Sequence, residues 1–170
     1  GLGCVGRGAL MELWDAYDAA GRPTGETLMR GLPVPAGRYH LVAEVLIRHR
    51  DGSWLLMRRD EGKPFCPGMW EASAGGSALR GESAEDAARR EAWEETGLHV
   101  SGLRRMERIV GDCFLFDYFV GQTEDDKQAV TLQPGETADF RWVDTGALRR
   151  AAAAQELMHA GWLLHWLDRL

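Results

Sequence analysis

Cysteine is scarce in this chain. Cys4, Cys66 and Cys113 are the only three among 170 residues. Their number is odd, their spacings are wide and no CxxC pair occurs, which argues against a disulfide scaffold or a zinc site and suits a reducing cytoplasm. Long apolar runs are also missing. No stretch reaches about eighteen apolar residues, so none reads as a membrane span. The N-terminus lacks the charged-then-apolar order of a signal segment. Positive charge is not in excess, the formal net charge being -6. General nucleic-acid binding usually leaves a basic footprint, so that class is disfavoured. Nucleotides remain open, because a bound cation and a few arginines neutralise phosphate locally. There are no internal repeats and no linker long enough to divide domains.

Apolar content of 45% and charged content of 27% belong to a globular chain with enough length for one domain and a real core. Residues 1–10, GLGCVGRGAL, have four glycines and no periodicity. They read either as sequence upstream of a start at Met11 or as a flexible extension, with Met11 opening a single domain over residues 11–170. Short strands are expected at residues 11–18 and 27–31, separated by the turn Ala20-Gly21-Arg22-Pro23. Over residues 39–48, Leu41, Ala43, Val45 and Ile47 alternate with His40, Val42, Glu44 and Leu46, the pattern of a strand. Asp51-Gly52 signals a hairpin into a partner strand at 54–59. A loop at 61–69 leads to a short strand at 70–74. Two strands follow at 103–110 and 113–120, the second apolar on both faces and therefore central. A polar loop at 121–135 precedes a strand at 140–143. Asp144-Thr145 caps a helix, and a last helix is expected from about 155 to 170. Strands, helix, strands, helix suits an α+β or α/β/α layered domain with a mixed sheet.

One stretch carries more fixed features than any other. Residues 76–98 read GSALRGESAEDAARREAWEETGL. Ser83 and Asp86 form a capping-box pattern, which starts a helix near Ser83. Ala84, Ala87, Ala88 and Ala92 favour helix and let it lie close to a neighbouring layer. Gly97 is a C-terminal stop. Glu91, Glu94 and Glu95 stand three and four residues apart, hence on one face. Three like charges repel there, and Arg89 and Arg90 offset them only in part. A hard divalent cation taking oxygen ligands resolves the conflict, and Mg²⁺, which keeps several waters, suits a cluster of this size. A solvated acidic face is the alternative for a Glu-rich helix. Trp93 lies about 200° around the helix from Glu91, so it is expected to point away from a metal.

The spacing is Gly76, five residues, Glu82, seven residues, then Arg90-Glu91-Ala92-Trp93-Glu94-Glu95-Thr96-Gly97-Leu98. It resembles the Nudix box, the signature of the Nudix hydrolases, with every defining position filled. The likeness extends to the strand at 39–47, the LLMRR strand, Pro67-Gly68-Met69-Trp70-Glu71 and Arg141-Trp142-Val143. It implies a Nudix fold, an α/β/α sandwich with a mixed central sheet. It also implies a metal-dependent hydrolase that cleaves a phosphoanhydride in a nucleoside diphosphate linked to another group, with Mg²⁺ or Mn²⁺. By the same resemblance Glu91, Glu94 and Glu95 bind metal, joined by the Gly75 carbonyl and supported by Glu82. Arg90 orients the carboxylates. Glu91 is the first candidate base, with Glu136 and Asp139 second. Arg58 and Arg59 point to opposite faces, and Arg59 is the one implied to reach phosphate, a surface arginine being the alternative. Trp70, Phe114, Phe116 and Tyr118 are read as core aromatics rather than a base-stacking platform, and Trp162 and Trp166 as core or the contact of a homodimer.

The upstream region resembles isopentenyl-diphosphate isomerase, a relative of the Nudix enzymes in which a cysteine after the central tryptophan does the proton chemistry and histidines bind metal. Here Trp70-Glu71-Ala72-Ser73-Ala74-Gly75 has no cysteine, Cys66 precedes Trp70, and His40 alone fits a metal-binding histidine. The full box without the thiol favours the hydrolase. The positions where some Nudix subfamilies carry a substrate-marking proline or tyrosine fall at 113–116, which has neither.

Overall fold

The structure is a computed structural model and describes residues 11–170. Residues 1–10, read above as upstream sequence or an extension, lie outside the described residues.

The alternating segment forms β3 (His40–His49). Leu41, Ala43, Val45 and Ile47 enter one core cluster, and Val42 and Leu46 enter the other. Its parallel neighbour is β8 (Phe114–Thr123), in register from His40 opposite Phe114 to His49 opposite Thr123. β7 (Ser101–Val110) lies antiparallel beyond it. The expectation of a central, doubly buried strand at 113–120 therefore holds. Layers on both faces explain why β3 and β8 read as nearly continuous apolar runs.

On the other side of β3 the sheet forks. The Asp51-Gly52 hairpin joins β3 to β4 (Trp54–Arg59), yet the two strands pair only at Arg48 and Trp54. Further along, β5 (Trp70–Glu71) follows β4, with Glu71 opposite Met57, while β6 (Ala74–Ser77) follows β3, with Ala74 opposite Val45. Ser73 sits fully buried at the fork. Its Oγ accepts from the Ile47 N–H at 2.8 Å and donates to the Leu55 carbonyl at 2.7 Å. One hydroxyl thus satisfies two backbone groups that have lost their ladder partners. This corrects two expectations: the strand at 70–74 is split in two, and the hairpin opens after its first pair. β9 (Thr137–Val143) covers the outer edge of β4.

α1 (Ala84–Thr96) packs on one face of the sheet. Ser83 and Asp86 form the capping box, Gly97 closes the helix at φ 73°, and Ala87, Ala88 and Ala92 are fully buried. α2 (Thr145–Ala153), capped by Asp144, and α3 (Ala160–Leu167) cover the other face. The result is a mixed sheet between helical layers, the α/β/α sandwich expected. α3 starts five residues later than expected. Gln155 and His159 both take φ 58°, in the left-handed region where a helix cannot continue. Between them the chain pairs with β5, the Met158 N–H donating to the Trp70 carbonyl at 2.9 Å. Trp166 is core, and Trp162 is partly buried against it.

β1 (Leu13–Tyr17) and β2 (Pro23–Met29) form a separate antiparallel pair. β2 begins earlier than expected because Asp18 Oδ1 closes the turn tightly, accepting from the Ala20 and Arg22 N–H groups. The pair is fastened to the sheet by Tyr17 opposite Tyr39 and by the Trp14 ring stacked on His40 at 4.3 Å. Among the described residues no helix is long and apolar enough to cross a membrane.

Candidate active site

A cavity of about 470 Å³ opens at the fork, lined on one side by Ala43, Gly75, Gly76, Glu91 and Glu95 and on the other by Phe116, Met158 and His159. It is within the usual size of a small-molecule site, about 300–1,000 Å³. Its wall is organised by ion pairs between different elements. Arg59 meets Glu71 at 3.1 Å, His159 meets Glu44 at 3.0 Å, Arg30 meets Glu12 at 2.9 Å, and Lys63 meets Glu136. Of the lining carboxylates, only Glu91 and Glu95 have no cation from the cavity wall.

These two come from α1, one helical turn apart, and hydrogen-bond to each other. Burial is the main cause that pushes the Glu95 carboxyl up to about 10. The hydrogen bond with Glu91 and the charges of Glu91 and Glu71 add to it, and a backbone hydrogen bond at Gly75 opposes it. Glu91 is also raised by burial, against hydrogen bonds from Glu95 and Arg90. Two desolvated carboxyls in contact resist ionising together, so the pair as a whole holds a proton more tightly than isolated carboxyls do. Glu71 beside them is likewise raised by burial, with Arg59 opposing.

Arg90 stands behind the pair and does not line the cavity. Its Nε donates to Glu82 Oε2 at 2.8 Å and its Nη2 to Glu82 Oε1 at 2.9 Å, a planar fork. Nη1 reaches Glu91 at 2.8 Å and Glu94 at 3.3 Å, and Nη2 reaches the Ser77 carbonyl at 3.2 Å. Glu82 also accepts from the Leu79 N–H at 2.7 Å. Burial opposes its charge, but Arg90 and Leu79 outweigh it and hold its carboxyl below the usual range. Both oxygens are thus engaged away from the cavity. Glu94 is half exposed, touched by Arg90 Nη1 at 3.3 Å, and does not line the cavity. Among the described residues no three His, Cys, Asp or Glu side chains converge as a metal cage. The expected acidic cluster is therefore divided in three: Glu91 and Glu95 line the cavity, Glu94 lies half exposed outside it, and Glu82 sits behind with Arg90.

The glycines have a steric reason. A β-carbon on Gly76 would lie 2.5 Å from Glu91 Oε1, and one on Gly75 would lie 3.1 Å from the Ala43 carbonyl. Arg59 lines the cavity, whereas Arg58 turns away to the Gly68 carbonyl and Glu61. Glu136 lines the cavity and Asp139 does not; Asp139 accepts from the Phe140 N–H. Trp93 points away from the site as expected, onto the surface against His99 at 4.7 Å. Tyr118 packs on Trp166 and Trp70 carries the Arg141 guanidinium, while Phe116, expected in the core, also reaches the cavity. Neither Cys66 nor Cys113 lines the cavity. The sequence reading missed Glu12, Arg30, Glu44, Lys63 and His159 as cavity residues. Glu44 left a signal, a carboxylate inside an apolar strand; the others left none.

Comparison with known proteins identifies the family and the fold. Residues 38–165 match the NUDIX domain family. An uncharacterized Nudix hydrolase of Listeria monocytogenes, lmo0368, is 34% identical over 150 residues, covering 87% of this chain and 89% of that protein. Isopentenyl-diphosphate Delta-isomerase of Klebsiella pneumoniae is 26% identical over 132 residues, covering 74% of this chain and 72% of that protein. The crystal structure of DR0079 from Deinococcus radiodurans shares the fold with a TM-score of 0.65 at 21% identity, over 84% of this chain and 90% of that one. The chain belongs to the Nudix family and is one of its hydrolases.

Proposed function

We propose that this hydrolase cleaves a phosphoanhydride in a nucleoside diphosphate linked to another group, with Mg²⁺ or Mn²⁺ as cofactor. The observation that carries the reading is the Glu91–Glu95 pair, two desolvated carboxyls facing a cavity walled by Arg59, Lys63, Arg30 and His159. The donor set fits a hard dication. Its oxygens are the carboxylates of Glu91 and Glu95, with the Gly75 backbone hydrogen-bonded to Glu95, and a dication would favour the ionised form that burial now opposes. A divalent cation held there would neutralise phosphate charge and lower the pKa of water.

The chain's own residues supply the rest. Glu82 fixes Arg90, and Arg90 fixes Glu91, so both act as positioning residues. Glu91 is the first candidate for the general base because it faces the cavity and is already held in one orientation. Glu136 is second and must first leave Lys63. Asp139 drops out, being away from the cavity. Arg59 and Lys63 bind phosphate oxygens by exchanging a carboxylate partner for the substrate. The isomerase reading draws on the Klebsiella relative. Against it stands the lack of any thiol among the lining residues.

The test is a phosphate-release screen over nucleoside diphosphate derivatives with Mg²⁺ and with Mn²⁺, run beside isopentenyl diphosphate. Metal-dependent hydrolysis of a nucleotide and no dimethylallyl product is the expected result. Isomer formation without hydrolysis would overturn the reading.

A further inference from the structure

His159 is the least explained residue of the cavity. It is not glycine, yet it holds φ 58° and ψ 28° at the entrance to α3, and it caps no backbone group with its side chain. Left-handed backbone at an L-residue is strained and persists only where surrounding contacts impose it. Here three contacts impose it. The Glu44 carboxylate takes Nδ1 at 3.0 Å, Trp162 stacks on the ring at 4.6 Å, and Phe116 meets its face edge-on at 5.3 Å. Glu44 is itself nearly buried, its side chain 10% exposed, and projects from β3. With a carboxylate against it, Nδ1 carries a proton, and the ring is fixed in tautomer and in plane. Nε2 has no partner among the described residues, and the ring borders the cavity with 32% of its side chain exposed.

We infer that His159 is a substrate-binding residue, held by Glu44, whose Nε2–H grips a phosphate oxygen of the substrate from the α3 layer while the α1 carboxylates face it from the other. The inference rests on the diphosphate reading above and adds a second point of attachment to it. The substrate class it selects is a diphosphate, approached by Glu91 and His159 from opposite walls of one cavity. The charge state agrees. Burial lowers the imidazole pKa, but the Glu44 hydrogen bond and the charges of Glu44 and Glu71 outweigh it, with Arg59 opposing, and leave it raised. A cationic imidazole donates from both nitrogens, one to Glu44 and one to the cavity.

The experiment uses the full chain with Mg²⁺ and methylenediphosphonate, a diphosphate that cannot be hydrolysed, titrated by calorimetry. His159→Asn and His159→Gly are both residues that tolerate the left-handed backbone, so neither variant strains the chain. Both are expected to weaken binding about tenfold and to keep the melting temperature within a few degrees. An unchanged dissociation constant in both variants overturns the inference, and so does a wild-type protein that binds no diphosphonate. Failure of the hydrolysis screen with this binding intact would sink the proposed reaction and leave the His159 site standing.

Discussion

Gly76 and the Glu91 carboxylate approach so closely that a single methyl group does not fit between them. A β-carbon at position 76 would stand 2.5 Å from Oε1 and 2.7 Å from the carboxyl carbon. The backbone of β6 thus limits where Glu91 lies, and the glycine leaves room for that carboxylate rather than making a turn.

Gly76→Ala should therefore damage the site more than the fold. Displacing Glu91 should lower kcat/KM by about a hundredfold, while overpacking costs about 1–3 kcal/mol of stability. Steady-state kinetics beside a urea melt reads both. Activity within a factor of two of wild type would mean that Glu91 moves aside at no cost.

Glu95 makes the metal-free protein sensitive to alkali. Burial raises its folded pKa to about 10, well above the usual carboxylate range. A carboxyl raised on folding binds its proton more tightly in the native state, so its contribution is full below the unfolded pKa and is lost as pH rises toward the folded one. Without metal, the melting temperature should fall between pH 6 and pH 9. Glu95→Gln should flatten that slope and remove most of the activity, and Mg²⁺ should flatten it in the wild type. A wild-type slope untouched by Mg²⁺ would argue against metal binding at Glu95.

Glu82 and Glu95 should separate in a metal titration. Glu82→Gln weakens the Arg90 fork, so kcat should fall about tenfold with little change in the Mg²⁺ concentration for half activity. Glu95→Gln should raise that concentration strongly. Equal shifts in the two variants would make Glu82 a ligand in its own right.

Ser73→Ala tests the fork. It leaves the Ile47 N–H and the Leu55 carbonyl buried without partners, each worth about 1–3 kcal/mol. A urea midpoint unchanged from wild type would show that water replaces the hydroxyl.

Much of the fold could be read locally. Ser83, Asp86 and Gly97 bound α1 because caps are chemistry between near neighbours. The strand at residues 39–48 was legible because a run rich in β-branched and other apolar residues ends at the Asp51-Gly52 turn. The fork was not, since a buried serine between two apolar strands looks like any other. α3 was placed too early because leucine and tryptophan kept helical spacing through a segment that Gln155 and His159 in fact unwind. At the site, the box marked Glu91 and Glu95 by spacing alone. It could not say that Glu94 would stay out of the cavity, nor that Glu44 and His159, far apart in the chain, would meet at 3.0 Å. Contacts of that range leave no periodicity to read.

The parting of β3 from β4 has a consequence for how such a chain can change over time. The box helix touches the cavity from one side only, and its geometry is locked by Gly76, Arg90 and Glu82. The opposite side belongs to Phe116, Met158 and His159, none of which is tied to that lock. Substitutions there can alter what is admitted without disturbing the acidic pair, so, on the proposed reading, the two sides of the cavity can be altered separately, one carrying the carboxylate pair and the other shaping what is admitted.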